Sequence, residues 1–447
     1  MNSIKSLESI REDFPSLSNR RNDKSPIYFD NACTTLVPYQ VIEAIAEYYA
    51  KFPACGGGRS RHWFAKEVAS RVEGDPERGI TGSRQVIKEF INASSEKEII
   101  FTSNTSHAIN LVALGFKFHP NDVVLLADKE HNSNLVPWLR LQKKGIIKVE
   151  CVALDDDDTF DIEGFKQKLE NSRVRLVSMA NTSNLTGNTI PAREIIKIAH
   201  NYGAEVLLDG AQTVPHRAID VQELDVDFLA FSIHKMCGPK GVAVLYGKRE
   251  LLGQKQHEED ESDNVIDPVM LGGGTVLDST YNSYTLLDPP RRFEVGLQNY
   301  AGQIAATAAI KYLQQVGMDR ITAHENRLNS FLTEQLLKRY GDAGWFHILG
   351  PRDATHRGGI LTFEVKRPNS VGIAEELDAK ANIMVRDGVF CVHSYLNKKF
   401  GQGWTRPRLP EEQRMTYRVS LYFYNTIVEC EIFLETLNKI FEERSYI

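Results

Sequence analysis

Short apolar runs alternate with helix-length segments between about residues 85 and 247. The runs are rich in Val, Ile and Leu, and they read EIIFTS, VVLLAD, VECVAL, VRLVSMA, AEVLLDG, DFLAFS and VAVLYG. Runs of this kind are typical of strands buried on both faces of a mostly parallel sheet. The pattern therefore predicts an α/β domain. Ligands bind at the carboxyl ends of such strands, which singles out Thr105, His131, Asn184, Asp209 and Lys235.

The last third of the chain has a different pattern. AGQIAATAAIKYLQQVG has the apolar spacing of a helix, and the strand-like GGILTFEV and helical VGIAEELDAKA follow it. A chain of 447 residues also exceeds the usual size of one domain. We therefore expect a large α/β domain at 27–300, and a smaller α+β domain made of 1–26 with 301–447.

Two segments rich in charge or glycine, 73–83 and 254–264, indicate surface loops, and we assign them no function. The composition, with 42% hydrophobic and 25% charged residues, is that of an ordinary globular protein. A net charge of −6 without a basic, aromatic stripe argues against nucleic acid as a partner. No apolar run is long enough to span a membrane and no signal peptide is evident, so we expect a cytoplasmic protein without a membrane partner.

The six cysteines contain no CxxC pair, which argues against both a metal site and a disulfide framework. We expect free thiols that serve mostly as small hydrophobic residues.

The segment DFLAFSIHKMCGPKGVAVLYG places Lys235 directly after a buried strand. Desolvating an ammonium costs on the order of several kcal/mol, so such a lysine is paired, exposed or used covalently. From this segment alone a surface lysine remains open. Upstream, AEVLLDGAQTVPH ends another strand at Asp209. An acid there suits the pyridinium nitrogen of pyridoxal 5′-phosphate (PLP), whose protonated ring is an electron sink. An ordinary helix N-cap explains Asp209 equally well.

Two further strand ends carry polar residues. His131 in ADKEHNSNLVPW is suited to lie on an aromatic ring, although a lone histidine is more often structural. Thr105 and Ser106 in FTSNTSHAINLVAL open a helix, which is a common place to hold a phosphate. Hydroxyl residues at helix starts are usually plain caps. Each of these features is weak alone.

Together and in this order, the segments resemble the fold-type I PLP enzymes. The closest resemblance is to the class V aminotransferase superfamily in its cysteine desulfurase and selenocysteine lyase branch. It runs from YFDNACTTLVP at residue 28 to YRVSLYFYNT, which ends at residue 426, through TSHAINLVA, EHNSNLVPW, NTSNLTGNTIP, LLDGAQTVPH, DFLAFSIHKMCGPKGVAVLYG and RRFEVGLQN.

The resemblance implies a role for each site residue. Lys235 would form the Schiff base with PLP and move protons, Asp209 would pair with the ring nitrogen, and Gln212 would bond the ring oxygen. His131 would stack on the ring and act as an acid or base. The phosphate ligands would be Thr105, Ser106, Ser232 and His234. The substrate carboxylate would be held by Asn184 and Arg418, with Arg386 nearby, and an arginine fork suits a carboxylate.

The resemblance also implies a nucleophilic cysteine in IMVRDGVFCVHSYLN, where Cys391 follows Arg386 by five residues. A buried strand cysteine is the alternative, because apolar surroundings blunt a thiol. The family commonly has two histidines directly before this cysteine, and here Val389 and Phe390 replace them. A histidine usual two residues before Arg59 is also missing or displaced.

Two more departures from the family pattern concern the cofactor pocket. Cys33 replaces the second alanine of the Asp-Asn-Ala-Ala pattern, and we expect it to be a small core residue, with a redox liability or an unforeseen participant as alternatives. Leu297 replaces a threonine that reaches the phosphate of the partner subunit. In the homodimer that the resemblance implies, that contact would pass through Gln298 or Asn299 instead.

Two functions therefore stay open. The first is a desulfurase that converts L-cysteine or selenocysteine to alanine through a persulfide on Cys391, with a sulfur-acceptor protein as partner. The second is an enzyme of the same fold without a nucleophilic cysteine, such as an aminotransferase, an epimerase or a C–S or C–C lyase. Fold alone does not decide between them.

Overall fold

The structure is a computed structural model, and it describes residues 7–56, 60–153, 159–253, 265–400 and 415–447. The predicted loop at 254–264 and Arg59 lie outside these ranges. The strands are β1 Ile27–Tyr28, β2 Ile99–Thr102, β3 Val123–Ala127, β4 Lys148–Val152, β5 Val174–Ala180, β6 Glu205–Asp209, β7 Phe228–Ser232, β8 Ala243–Gly247, β9 Val276–Ser279, β10 Tyr284–Leu286, β11 Phe346–Leu349, β12 Ile360–Val365, β13 Ile383–Met384, β14 Arg386–Asp387 and β15 Met415–Ser420.

The α-helices are α1 Leu7–Ile10, α2 Tyr39–Lys51, α3 Trp63–Glu73, α4 Ser83–Phe90, α5 Thr105–Gly115, α6 Asn132–Lys143, α7 Ile162–Asn171, α8 Ala192–Asn201, α9 Val221–Leu224, α10 Arg249–Leu252, α11 Tyr300–Val316, α12 Met318–Tyr340, α13 Ile373–Ala381, α14 His393–Phe400 and α15 Ile427–Glu443. No helix in these described ranges combines the length and apolar character that crossing a membrane requires.

All seven apolar runs form strands of one sheet, in the order β2-β8-β7-β6-β5-β3-β4. Only β8 runs antiparallel to its neighbours within this sheet, so the predicted mostly parallel arrangement is confirmed. Side chains alternate between two apolar layers, one on each face of the sheet. This double burial explains why the runs are apolar, with the exception of β4, an edge strand that is largely exposed or half-buried and contains Lys148 and Glu150.

The smaller sheet is antiparallel, with the order β11-β12-β15-β14. The predicted strand in GGILTFEV is β12, and the predicted helix in VGIAEELDAKA is α13. Strand β1 pairs with β13, which joins the N-terminal arm to this part of the chain. Helix α11 packs against α2 and α4 and into the core of the large sheet.

The segment at 73–83 connects α3 to α4 through a 3-10 helix at Pro76–Arg78. Arg78 contacts Glu67 at 2.7 Å, and most of the segment is exposed or half-buried.

Candidate active site

A cavity of about 240 Å³ lies at the carboxyl ends of β3, β5, β6 and β7. All of the residues that the sequence predicted for the site line this one cavity: Thr105, Ser106, His131, Asn184, Asp209, Gln212, Ser232, His234, Lys235, Arg386, Cys391 and Arg418. A larger cavity elsewhere, lined by Cys55, Glu294 and Leu297 among others, contains none of them.

Asp209 and Lys235 form the charged centre of the cavity. Asp209 is the last residue of β6, and Lys235 ends the 3-10 helix that follows β7. Asp209 accepts a hydrogen bond from the backbone N–H of Ala211 at 2.9 Å. Burial raises the pKa of Asp209, and Lys235 partly opposes that shift. Burial lowers the pKa of Lys235, against the effect of Asp209. The lysine is therefore shifted toward the neutral amine that a Schiff base requires.

His131 is the N-cap of α6, where its Nδ1 accepts a hydrogen bond from the Ser133 backbone N–H at 3.0 Å. Burial, helped by the charge of Lys235, lowers the pKa of His131 to about 4. The imidazole is thus neutral at neutral pH. Because Nδ1 is an acceptor, its proton sits on Nε2.

The start of α5 gathers hydroxyl groups beside the end of β7. The Thr105 backbone N–H donates to Ser232 Oγ at 2.8 Å, and the two hydroxyls lie 2.6 Å apart. Ser106 Oγ lies 2.5 Å from Ser133 Oγ. Burial and Lys235 lower the pKa of His234 to about 4, so it is neutral here. Hydroxyls and backbone amides at a helix N-terminus are suited to a phosphate.

Gln212 supplies a test of the fit to PLP. Its Nε2 donates to the Ala32 carbonyl at 2.8 Å, while its Oε1 is buried and has no hydrogen-bond partner in the described part of the chain. A buried polar atom without a partner is costly unless a bound group supplies one. With the lysine, the acid and the hydroxyl-lined helix start in place, these residues fit PLP.

Two arginines from adjacent strands lie on the other side of the cavity. Arg386 in β14 stands opposite Arg418 in β15. Arg418 is 2% exposed, and it donates to the Asn184 carbonyl at 3.0 Å and to Asp30 Oδ1 at 3.1 Å. Its guanidinium carbon lies 4.8 Å from the centroid of the Phe390 ring. Asp30 thus holds a cationic pair that is suited to an amino-acid carboxylate.

Cys391 lies in a turn after β14 and is half-buried, so the alternative of a buried strand cysteine does not describe its position. Phe390 and Cys391 both have left-handed backbones, with φ of 49° and 60°. Such conformations cost free energy in residues other than glycine and persist only where neighbours enforce them. Asn184 Nδ2 donates to the Phe390 carbonyl at 2.8 Å, and the Asn132 N–H donates to the Cys391 carbonyl at 2.7 Å. These bonds hold the turn against the large sheet.

One expectation was wrong and three contacts were not foreseen. Cys33 is not a core residue: it is half-buried, lines the cavity, and accepts a hydrogen bond from Arg386 Nη1 at 2.8 Å. Asp30 accepts a hydrogen bond from Arg418, and the backbone N–H of Asn132 donates to the Cys391 carbonyl, both across long stretches of sequence. His393, two residues after Cys391, lies 3.0 Å from Asn132 Nδ2. The sequence signals were the YFDNAC segment for Asp30 and the EHNSN segment for Asn132.

Comparison with known proteins agrees with this geometry. The model of the family Aminotransferase class-V matches residues 27–433. A probable cysteine desulfurase of Pyrococcus abyssi is 35% identical, covering 97% of each chain. A probable cysteine desulfurase of Streptomyces coelicolor is 34% identical, covering 97% of this chain and 96% of the relative. A cysteine desulfurase of Synechococcus elongatus is also 34% identical, and there this chain spans 63% of the relative's length.

Solved structures give the same result. The apo cysteine desulfurase of Thermococcus onnurineus superimposes with a TM-score of 0.84 at 33% identity, over 99% of this chain and 100% of that one. The cysteine desulfurase CsdA of Escherichia coli, in an S-sulfonic acid form, gives 0.81 at 27% identity with the same coverage. The chain belongs to the aminotransferase class-V family of fold-type I, whose cofactor, PLP, fits the residues of this cavity.

Proposed function

We propose that this chain is a cysteine desulfurase that converts L-cysteine, or selenocysteine, to alanine and keeps the removed sulfur or selenium on Cys391. The observation that carries the proposal is that Cys391 lines the same cavity as Lys235, Asp209 and the two arginines. The names of the relatives support the same activity.

In this proposal PLP, when bound through Lys235, supplies the electron sink for charge that develops at the substrate Cα. Asp209 holds the proton of the ring nitrogen. Arg418 and Arg386 bind the substrate carboxylate, and Asn184 contributes to the same subsite. Thr105, Ser106, Ser232 and His234 hold the phosphate, and Gln212 bonds the ring oxygen.

Lys235 carries out proton transfer, and Cys391 carries out sulfur transfer. The Lys235 amine takes the proton from Cα, and its lowered pKa suits this work. His131 is neutral and carries its proton on Nε2, so it can stack on the ring and donate a hydrogen bond through Nε2–H at neutral pH. The Cys391 thiolate attacks the substrate sulfur, the C–S bond breaks, and the electron pair of that bond goes to Cβ. Protonation of Cβ and return of a proton from Lys235 to Cα give alanine, and the sulfur stays as a persulfide on Cys391.

The test is to supply L-cysteine to the purified holoenzyme and to its Cys391→Ala variant and identify the products. We expect alanine from the wild type and no alanine from Cys391→Ala, because that variant has no thiol to take the sulfur. Alanine formation that survives in Cys391→Ala would show that the persulfide mechanism is wrong. Pyruvate with ammonia and sulfide, or a keto acid, would instead identify the lyase or the aminotransferase.

The cofactor assignment has its own measurement. We expect a visible absorbance band in the wild type that the Lys235→Ala variant loses or shifts. A matched control is Lys240→Ala, because Lys240 is exposed and follows the same turn. An unchanged band in Lys235→Ala would contradict the role of Lys235.

The proposal includes a cytoplasmic location, a sulfur-acceptor protein and a homodimer built from a large domain at 27–300 and a small domain of 1–26 with 301–447. Leu297 is 75% exposed and Leu277 is 57% exposed, and both line the larger cavity, which supports a protein partner at this face. Gln298 and Asn299 bond within their own chain, to the Glu294 and Gly241 carbonyls. Sedimentation at several concentrations tests the dimer.

A further inference from the structure

The cavity contains a second thiol that the proposed reaction does not use. Cys33 lies in the turn after Asp30, where its backbone N–H donates to the Asp30 carbonyl at 3.1 Å. The preceding residue, Ala32, accepts the Gln212 amide at 2.8 Å. These contacts hold Cys33 at the wall of the cavity, half-buried and facing the same space as Cys391.

Arg386 contacts the sulfur of Cys33 directly. Its Nη1 donates to Cys33 Sγ at 2.8 Å, so the sulfur accepts a hydrogen bond from a charged donor. Although burial opposes it, the charges of Cys33, Asp30 and Cys391 together raise the pKa of Arg386. Both thiols therefore lie within the electrostatic reach of the same guanidinium.

Cys33 and Cys391 line the same small cavity. Its 240 Å³ lies below the range of about 300–1,000 Å³ that is usual for ligand pockets. A persulfide extends the Cys391 side chain further by one S–S bond, about 2 Å. Arg418 Nε and Gln212 Oε1, both on buried side chains of this cavity, have no hydrogen-bond partner in the described ranges. The cavity therefore has polar capacity for a bound group beyond what its own side chains use.

We propose that Cys33 is a second sulfur carrier, which accepts the outer sulfur of the Cys391 persulfide. The Cys33 thiolate attacks that outer sulfur, a new S–S bond forms at Cys33, and the S–S bond at Cys391 breaks. Cys391 leaves as a thiolate and is free for another turnover. The exchange moves one sulfane sulfur with its proton from one thiolate to another, so it needs no external oxidant or reductant. This inference rests on the proposed function, because Cys391 must be loaded first.

The exchange predicts how much sulfur one chain holds. The holoenzyme is incubated with L-cysteine without an acceptor or added reductant, and is then treated with a thiol-trapping reagent. Cyanide-released sulfur is counted per chain, and the modified cysteines are mapped by peptide mass spectrometry. We expect two sulfane sulfurs in the wild type, on Cys391 and Cys33, and one in Cys33→Ala, on Cys391. In Cys391→Ala we expect none on Cys33.

Two controls test whether the second sulfur is specific to Cys33. Cys33→Ala restores the residue that the family pattern has at this place, and circular dichroism and cofactor absorbance check that it folds and binds PLP. Cys151→Ala removes an exposed thiol and should still load two sulfurs. Comparable labelling of the exposed Cys55 and Cys151 would mean free polysulfide and would overturn the proposal.

The remaining outcomes separate this proposal from the desulfurase activity itself. Sulfur on Cys391 alone, with alanine formed, overturns the role of Cys33 and leaves the proposed function standing. Sulfur on Cys33 in the Cys391→Ala variant overturns the order of transfer. A Cys33–Cys391 disulfide with release of sulfide shows attack on the inner sulfur and also overturns the proposal. Absence of both alanine and bound sulfur overturns the proposed function together with this inference.

Discussion

Replacing Arg418 by lysine tests the carboxylate subsite. Arg418 bonds the Asn184 carbonyl and Asp30 with different nitrogens of one planar group, and that group also lies against Phe390. A lysine keeps the charge, but its single ammonium cannot hold those partners and a carboxylate in the same fork geometry. Losing one hydrogen bond to a charged group costs about 1.5–3 kcal/mol, which corresponds to about a 10- to 150-fold weaker binding.

The substrate carboxylate does not change during the reaction, so its ligand contributes equally to binding in the ground and transition states. We therefore expect Arg418→Lys to raise KM for L-cysteine about 10- to 150-fold with kcat much less affected. Arg352→Lys is the matched control, since Arg352 is exposed, and it should leave both constants unchanged. An unchanged KM in Arg418→Lys, or a loss confined to kcat, would refute the assignment of Arg418 to the carboxylate.

Three further predictions concern the protein around the site. Glu294→Ala removes a carboxylate that accepts hydrogen bonds from Arg84 Nη1 and Nη2, at 2.8 and 2.9 Å, and from the Phe101 N–H. The buried Arg84 charge is then unpaired, so we expect the free energy of unfolding in urea to fall by about 3–5 kcal/mol. A loss below about 1 kcal/mol would contradict this prediction. The hydrogen bond to Asp227 raises the pKa of His200 above its ordinary 6.5, against burial. The stabilisation is therefore complete below pH 6.5 and fades as the pH rises through the folded-state pKa. The difference in unfolding free energy between wild type and His200→Asn should thus shrink from low to high pH. A difference that increases with pH would contradict the assigned direction of the shift. Asn184→Ala removes the donor to the Phe390 carbonyl, and we expect faster proteolysis near Cys391, whereas equal rates would show that Asn184 does not hold this turn.

Much of the fold followed from local pattern. Most strands of the large sheet were predictable because they are buried on both faces and so are apolar, whereas β4, at the edge of the sheet, is largely exposed or half-buried and carries Lys148 and Glu150. Their carboxyl ends then predicted the positions of Lys235, Asp209 and His131, because parallel strands bring their ends to one edge of the sheet. The roles of these residues still depended on family resemblance, since a strand-end lysine or aspartate has ordinary structural explanations.

The other half of the site could not be derived in this way. Arg386 and Arg418 meet through the register of two short antiparallel strands that lie far apart in sequence. The left-handed backbone of Phe390 and Cys391 depends on donors at Asn184 and Asn132, which no local rule connects to that turn. Cys33 was wrongly expected in the core because free cysteines most often serve as small hydrophobic residues. Only its contact with Arg386 reveals where its side chain lies.

Asp30 holds the two arginines of the small sheet together. It bonds Arg418, lies 3.8 Å from Arg386, and bridges to Ser420 at the end of β15. The arginines and Cys391 therefore belong to one unit built on the small sheet, while Lys235 and Asp209 belong to the large sheet. Asn184 and Asn132, which follow strands of the large sheet, bond Arg418 and the turn of Cys391 and so set their position relative to Lys235. Because Cys33 also bonds Arg386, the carboxylate subsite and both thiols share one connected set of contacts, which is separate from the centre formed by Lys235 and Asp209.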